Sequence, residues 1–582
     1  MPLLVALVLG TVVSVHPRAE GQRPRHQHDR LDRAIRALVE DGHAGNVRVI
    51  IRAPGARDDL QRRLTAHGDR VHAHHFSIES ISATVHAQDL EALADDPAVE
   101  RVSIDARVRV HETATATHSL LPTEGLPENS GSTRGGSARI AVIDSGLELT
   151  GDLGGSRIIG FYDFTRGGVA AAAYDDYGHG THVAGLIAGD GSKSNGYYAG
   201  IAPAAKVLAL KVLDQYGGGY TSDVIAAIEF VVANQKAFGI HAINLSLGHP
   251  IYEPAATDPL VQAIEKASQA GILVIVAAGN FGQNPATGLI GYGGITSPGN
   301  APSAVTVGGV NTFDTVGRGD DVVPGYSSRG PTWYDGMAKP DIVSPGHRLV
   351  SIAALKGTLY KHYPDLRVTG NSGDVPRYFR LSGTSMAAAV TTGSVALMLD
   401  AAGSKKKSFT PNLVKALLQW SAIPIHGFDA LTQGTGSLNV PGALALTRRI
   451  DTTMPVGSFW LTSGAVPSTS IAGTSWPWAQ MVFWGNLTGS GSVVDIHGQA
   501  WNKTIVWGNA VVWDGAVAWG TDVVWGDPTT WSSAIVWGND LIGTTDGTTI
   551  VWGNTTVTSI TIVWGNASAT DLSSTGTSLE SR

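Results

Sequence analysis

Short, continuously apolar runs alternate with helix-length segments through the middle of this 582-residue chain. The runs K-V-L-A-L-K-V-L at 206–213 and I-L-V-I-V-A-A at 272–278 predict buried strands, and the segments 222–237 and 257–270 predict helices. Strands that are apolar on both faces are typical of parallel sheets, whose crossover connections are helices. The pattern therefore predicts an α/β domain in which buried strands alternate with helices.

Three short segments, far apart in the chain, place an acid, an imidazole and a hydroxyl at the ends of predicted elements. V-I-D-S-G ends a strand at Asp144, G-H-G-T-H-V-A-G places His179 before an apolar helix, and S-G-T-S-M-A places Ser385 at a helix start. A serine needs an adjacent base to become a nucleophile, and an acid orients that base. Alone, D-S-G is commonly a turn and H-G-T-H also suits a metal pair. Together they predict a catalytic triad.

A fourth segment, V-I-V-A-A-G-N at 274–280, ends a buried run on the amide of Asn280. Attack of a serine on a carbonyl produces a negative oxygen, which needs hydrogen-bond donors already in place. We expect the Asn280 side chain and the Ser385 backbone N–H to be those donors. A helix N-terminus at Ser385 would favour the same developing charge.

Further segments support a family resemblance: G-I-A-P at 200–203, I-N-L-S-L-G at 243–248, S-S-R-G-P at 327–331 and K-P-D-I-V-S-P-G at 339–346. With these, residues 130–450 resemble the subtilisin-like serine peptidases, the subtilase family. The resemblance implies an α/β fold with a doubly wound, mostly parallel sheet, with which the alternating strand and helix pattern agrees. It implies a serine endopeptidase that cleaves proteins or peptides through an acyl-enzyme on Ser385. It also implies a set of substrate contacts, namely Gly217, Gly218, Gly219, Ser246, Leu247, Gly248, Ala278 and Gly279. None of these is acidic, so we expect an uncharged residue before the scissile bond.

The N-terminal part divides into two predicted segments. Residues 1–22 are a predicted signal peptide, although they lack a basic start and an A-x-A site. They predict a secreted protein, with attachment to the cell surface left open. Residues 23–112 predict a small α+β unit that resembles the inhibitory propeptide of subtilases. The alternative is an unrelated N-terminal domain.

Histidines are concentrated in this part of the chain. Ten of the 19 lie between His26 and His118. We therefore expect acidification to loosen the N-terminal unit. The alternative is a His- and Arg-rich surface with no such role.

The composition changes at about residue 451. Residues 451–582 hold 13 of the 15 tryptophans, and seven of these recur every six residues from Trp501 to Trp537. Together with repeated I-V-W-G-N units, this period predicts a β-rich repeat region, either a meander of short hairpins or a solenoid. Attachment or a structural role is favoured over specific ligand binding, and a disposable extension that is removed during maturation is also left open.

Composition narrows the remaining functions. The absence of cysteine excludes a cysteine peptidase and a disulfide framework, and a net charge of −8 argues against a nucleic-acid partner. No stretch predicts a membrane span.

No cofactor is required and no metal ligand is predicted. Loop 190–198, where some relatives bind calcium, leaves a structural calcium ion open. Two alternatives remain: a surface-attached binding or structural protein with secondary peptidase activity, and an esterase.

Overall fold

The computed structural model describes residues 30–110, 120–124, 126, 133–284, 287–370, 375–404, 409–450, 466–484, 487–490, 535–536 and 562–563. The strict six-residue tryptophan period and the predicted signal peptide lie outside these residues. The described chain forms an N-terminal unit, a large α/β domain and a short C-terminal segment.

The N-terminal unit is one antiparallel sheet with helices packed on it. The strand order is β2-β3-β1-β4. Its helices are α1 (Arg33–Glu40), α2 (Arg57–His67) and α3 (Leu90–Asp95), and its strands are β1 (Asn46–Arg52), β2 (Arg70–His75), β3 (Ser80–His86) and β4 (Arg101–Ile104). The unit has an apolar core of its own, which includes Ile35, Val49 and Ile81. A 3₁₀ turn over Ala87–Asp89 precedes α3.

The large domain contains an eight-stranded sheet of order β15-β14-β13-β11-β6-β9-β7-β8, in which only the β7–β8 pair is antiparallel. Its strands are β6 (Arg139–Asp144), β7 (Ile158–Asp163), β8 (Val169–Ala170), β9 (Lys206–Lys211), β11 (Ala242–Leu245), β13 (Leu273–Ala277), β14 (Val305–Val310) and β15 (Ile342–Pro345). The helices are α4 (Leu120–Thr123), α5 (His179–Ala188), α6 (Thr221–Ala233), α7 (Gln235–Phe238), α8 (Pro259–Gln269), α9 (Thr358–His362), α10 (Thr384–Ala402), α11 (Pro411–Ser421), α12 (Ala430–Gln433) and α13 (Val440–Arg449).

Successive side chains of β6 enter two different cores. Ile140 and Val142 join the core that includes α5 and α10, whereas Ala141 and Ile143 join the core that includes α6 and α8. A strand has a side-chain period of two, so apolar residues at every position require cover on both faces of the sheet. The α/β, doubly wound prediction is confirmed for this domain.

Two smaller sheets border the large one. The first joins β5 (Arg107–Val110), which follows the N-terminal unit, to β10 (Gly218–Tyr220) and β12 (Leu247–Gly248). The second consists of β16 (Leu349–Ile352), β17 (Arg367–Val368) and β18 (Tyr378–Leu381). Among the described residues, only the first of these small sheets combines a strand that precedes the boundary predicted at residue 112 with strands that follow it.

The described part of the C-terminal segment begins against the large domain. Trp478 and Val482 are buried in the same core as α11 and α13, and the backbone N–H of Ala479 donates to the carbonyl of Ala422 at 2.8 Å. The remaining strands are short pairs, namely β19 (Ser468–Ile471), β20 (Thr474–Pro477), β21 (Met481–Trp484), β22 (Leu487–Ser490), β23 (Ile535–Val536) and β24 (Ile562–Val563).

One helix in the described part of the chain, α10, has the length and apolarity of a membrane span. It lies buried in the core of the large domain.

Candidate active site

Asp144 and His179 meet in the protein interior. Asp144 is the last residue of β6 and His179 is the first residue of α5, and both side chains are buried. Asp144 Oδ1 lies 2.8 Å from His179 Nδ1 and also accepts a hydrogen bond from the backbone N–H of Ser145 at 2.7 Å. The carboxylate therefore favours the tautomer with a proton on Nδ1, which leaves Nε2 as the basic nitrogen.

Asp175 fixes the start of the helix that carries His179. Its carboxylate accepts hydrogen bonds from the backbone N–H groups of Gly178 at 2.7 Å and Thr181 at 2.8 Å, and from the Ser145 hydroxyl at 2.9 Å. An acid in this position satisfies N–H groups that a helix leaves unpaired in its first turn. Asp175 was not predicted from the sequence, although its place in D-D-Y-G-H-G, just before the predicted helix, was the available signal.

Lys211 supports the turn that follows Asp144. The side chain is fully buried, and Nζ donates to the Ser145 carbonyl at 2.7 Å and to Asp176 Oδ1 at 2.6 Å. Its backbone also pairs with Asp144 in the β6–β9 register. A lysine inside an otherwise apolar strand was a signal for such a role, because a buried ammonium group requires partners.

Ser385 lies in the first turn of α10 and is in contact with the carboxyl end of β11. Its Oγ donates to the Ser246 carbonyl at 3.0 Å, and Ser246 Oγ donates to the Ser385 carbonyl at 2.9 Å. Ser246 directly follows β11, in which Leu245 pairs with Ile143 of β6. The hydroxyl is thus located at the same edge of the sheet as Asp144, where open α/β sheets place their sites.

Asn280 follows β13 at this edge and its amide is held in one orientation. Its Oδ1 accepts hydrogen bonds from the Thr384 backbone N–H and hydroxyl, both at 3.0 Å. Its Nδ2 is buried and has no hydrogen-bond partner among the described residues. The two N–H donors of that amide are therefore available to a ligand beside Ser385.

The predicted substrate edges are both occupied by the same strand. Strand β5 pairs antiparallel with β10 on one side and with β12 on the other, so that Gly218 and Gly248 both lie opposite Arg109. Leu247 lies opposite Val110 and Gly219 opposite Val108. The strand in the first edge is displaced by one residue from the prediction: it covers Gly218–Tyr220, and Gly217 is in the preceding turn with a φ of +73°.

The remaining predicted contacts, Ala278 and Gly279, are buried between β13 and Asn280. The backbone N–H of Gly279 donates to Thr384 Oγ1 at 3.1 Å. Gly279 has a φ of +106°, and a Cβ added there would lie 2.9 Å from atoms of Ser328 and Thr296. A larger residue would displace this wall, so the position requires glycine.

The second histidine of H-G-T-H has a structural role. His182 Nε2 contacts the carbonyls of Leu349 at 3.2 Å and Phe379 at 3.1 Å. Burial, followed by the neighbouring His179, lowers the pKa of His182 to about 3. The neutral ring therefore donates to the small sheet of β16 and β18, and the metal-pair interpretation of this motif finds no support in it.

The calcium expectation for loop 190–198 does not fit the side chains there. Asp190 Oδ2 accepts a hydrogen bond from Arg157 at 2.9 Å. The nearby Asp152 accepts hydrogen bonds from the Ser192 hydroxyl, the Lys193 backbone N–H and the Tyr378 hydroxyl. Calcium requires six to eight oxygen ligands. Both carboxylates already have protein donors, one of them a guanidinium.

The comparison with known proteins decides the family. The sequence profile of the subtilase family matches residues 135–448, which is more than half of the chain. The chain belongs to the subtilase family. It is a subtilisin-like serine endopeptidase, and subtilases act on protein substrates.

Individual subtilases resemble most of the chain. Serine protease AprX of Bacillus subtilis (strain 168) is 35% identical over 377 residues, which are 63% of this chain and 80% of AprX. Subtilisin E of the same strain is 29% identical over 384 residues, which are 65% of this chain and 83% of subtilisin E. Among solved structures, fervidolysin from Fervidobacterium pennivorans, a keratinolytic enzyme related to subtilisin, superposes with a TM-score of 0.55 at 21% identity. That match covers 70% of this chain and 62% of the fervidolysin chain, and it supports the fold alone.

Proposed function

We propose that Ser385, His179 and Asp144 hydrolyse peptide bonds through an acyl-enzyme. The Ser385 hydroxyl gives up its hydrogen bond to the Ser246 carbonyl and attacks the substrate carbonyl, while His179 Nε2 takes its proton. The imidazolium then returns the proton to the departing amine, and water repeats the sequence on the ester. The Asp144–His179 contact of 2.8 Å carries this proposal, because it holds the base in the required tautomer.

The oxyanion of each tetrahedral intermediate is bound by Asn280 Nδ2 and the Ser385 backbone N–H. Thr384 supports this role, because it fixes the amide through its oxygen and directs the nitrogen away from itself. Donors that are already oriented stabilise the charge without reorganising during the reaction. No step of this mechanism requires a cofactor.

The N-terminal unit acts as an inhibitor in the uncleaved precursor. Strand β5 occupies both substrate edges by main-chain pairing, which is how an extended peptide adds to open strands. Asp105, just before β5, accepts hydrogen bonds from the backbone N–H of Ser222 at 2.9 Å and its hydroxyl at 2.8 Å, at the start of α6. Ser77 donates from N and Oγ to Glu229 Oε1 on the same helix, at 2.7 and 2.5 Å.

Removal of the serine tests the catalytic assignment. Ser385→Ala should abolish hydrolysis of casein and leave the precursor uncleaved. The matched control is Ser394→Ala, a buried serine of the same helix whose hydroxyl donates to the carbonyl one turn earlier, at 2.9 Å. Casein hydrolysis that survives in Ser385→Ala, with the control active, would refute the nucleophile.

Secretion and the role of the tryptophan repeats complete the proposal. The predicted signal peptide supports export, and the repeats support attachment to a surface. Because Trp478 packs in the peptidase core, the informative truncation removes residues 491–582 and leaves residues 466–490 in place. We expect the truncated protein to hydrolyse a short peptide as fast as the full-length chain does, but no longer to attach to cells. Loss of peptide hydrolysis would show that the repeats serve the catalytic domain instead.

A further inference from the structure

Four side chains with metal-binding atoms converge at one end of the N-terminal sheet. His67 is the last residue of α2, Asp69 lies in the turn before β2, His86 is the last residue of β3, and Asp89 ends the 3₁₀ turn that follows. Neither the proposed mechanism nor the inhibitory contacts use this cluster.

The spacing of these atoms is that of a coordination sphere. Nδ1 of His67 lies 3.1 Å from Asp69 Oδ2 and 3.9 Å from Asp89 Oδ2. Nδ1 of His86 lies 3.2 Å from Asp69 Oδ1 and 3.7 Å from Asp89 Oδ2. Tetrahedral zinc has bonds of about 2.0–2.1 Å to nitrogen and oxygen, which places neighbouring ligand atoms about 3.3 Å apart. The ligand atoms of His67, His86 and Asp89 all lie within 4.8 Å of one another.

The burial and charge of the cluster also favour a cation. The Asp69 side chain is only 2% exposed, and its Oδ2 is hydrogen-bonded to His67 Nδ1 at 3.1 Å. Among the described residues, Asp69 Oδ1 and Asp89 Oδ2 are buried with no hydrogen-bond partner. In the described part of the chain, neither carboxylate is paired with a lysine or an arginine. A buried carboxylate oxygen without a hydrogen-bond partner is costly. The two carboxylates have a formal charge of −2, which one divalent cation would neutralise.

We propose that His67, His86, Asp69 and Asp89 bind one divalent transition-metal cation, with zinc as the best match. Imidazole nitrogen combined with carboxylate oxygen suits zinc, whereas calcium and magnesium prefer oxygen alone. The two histidine side chains are 53% and 46% exposed, so the ion can enter from solvent. The bound ion joins the end of α2 to the β3–α3 connection and stabilises the N-terminal unit against unfolding.

Metal binding by the full-length Ser385→Ala chain tests the site. The protein is treated with a chelator, dialysed and titrated with zinc chloride in a calorimeter, with and without the double change His67→Ala and His86→Ala. The matched control is His74→Ala, which removes a β2 imidazole that bonds Gln61 Oε1 and lies outside the cluster. Because the chain has many other histidines, the difference between variants is decisive. The affinity for one equivalent of zinc should fall at least tenfold in the double variant and should be unchanged in the control.

Cobalt(II) provides a second readout. Its visible absorption is strong in a tetrahedral site and weak in an octahedral one, and Asp89→Asn removes one ligand charge with almost no change in shape. We expect a tetrahedral spectrum in the parent chain that is weakened in Asp89→Asn. The same affinity and spectrum in all variants would overturn the proposal, as would an absence of zinc binding. Zinc binding does not depend on the proposed function, whereas any effect of zinc on maturation would rest on the proposed inhibitory role. If zinc binds as expected but the wild-type chain has no peptidase activity, only the proposed catalytic function is refuted.

Discussion

Acidification is expected to weaken the contact between the N-terminal unit and the peptidase domain through His75. This residue ends β2, and its imidazole is fully buried, with neither ring nitrogen hydrogen-bonded among the described residues. Burial, with the neighbouring His74 adding to it, lowers the pKa of His75 to about 4. The acid that faces it from α6, Glu229, is 3.9 Å from Nδ1. Glu229 already accepts two hydrogen bonds from Ser77, and burial raises its own pKa.

The sign follows from the two protonation states. An imidazole released to solvent takes up its proton near pH 6.5, whereas the buried one does so only near pH 4, so protons favour release. The contact is at full strength above pH 6.5 and weakens as the pH falls toward 4. These two pKa values give binding that is about 20-fold weaker at pH 5 than at pH 7, and a limit of about 3 kcal/mol below pH 4.

The assay is inhibition of the mature peptidase by the separated segment 23–112, measured with a chromogenic peptide from pH 5 to pH 8. His75→Phe keeps an apolar ring without a titrating group, and the exposed His43→Phe serves as the control. The comparison is needed because burial raises the pKa of Glu253 at the same interface to about 8, which favours association in acid. Between pH 7 and pH 5, inhibition by the wild-type segment and by the control segment should weaken about 20-fold more than inhibition by the His75→Phe segment. Parallel pH profiles for all three would refute the reasoning.

Two further substitutions test the site and the core. Asn280→Ala should lower kcat by about 10²–10³ with little change in KM, because one oxyanion donor is lost; steady-state kinetics that show a change in KM alone would assign Asn280 to substrate binding. Asp341→Asn should lower the free energy of unfolding by about 3–5 kcal/mol, because the buried Lys339 and Lys415 ammonium groups, 2.7 and 2.9 Å from its oxygens, lose their counter-charge. Denaturant unfolding of this variant and of the exposed control Asp320→Asn measures that loss. Equal free energies of unfolding for the two variants would contradict the stabilising role of Asp341 between the two lysines.

The parts of the site that were predictable from sequence are those with a local signal. The apolar strand before Asp144 and the helix patterns after His179 and Ser385 each place one residue at the end of an element. The carboxyl ends of β6 and β11 then meet because the sheet is parallel. The same reasoning located Asn280, which ends the run of β13.

The rest depends on tertiary pairing that no local pattern contains. Strand β5 is only four residues long, and its position between β10 and β12 is set by main-chain hydrogen bonds from two distant segments. The hydrogen bond from Ser385 to the Ser246 carbonyl reflects how α10 packs on β11. The cluster of His67, Asp69, His86 and Asp89 forms where two separate turns meet at one end of the N-terminal sheet.

Mass spectrometric mapping of a fluorophosphonate adduct tests the central claim most directly. A fluorophosphonate reacts with a serine only where a base activates it and donors stabilise the developing charge. The adduct should map to Ser385 in the wild-type chain and be absent from His179→Ala. An adduct on a different serine, or equal labelling of Ser385 without His179, would contradict the account.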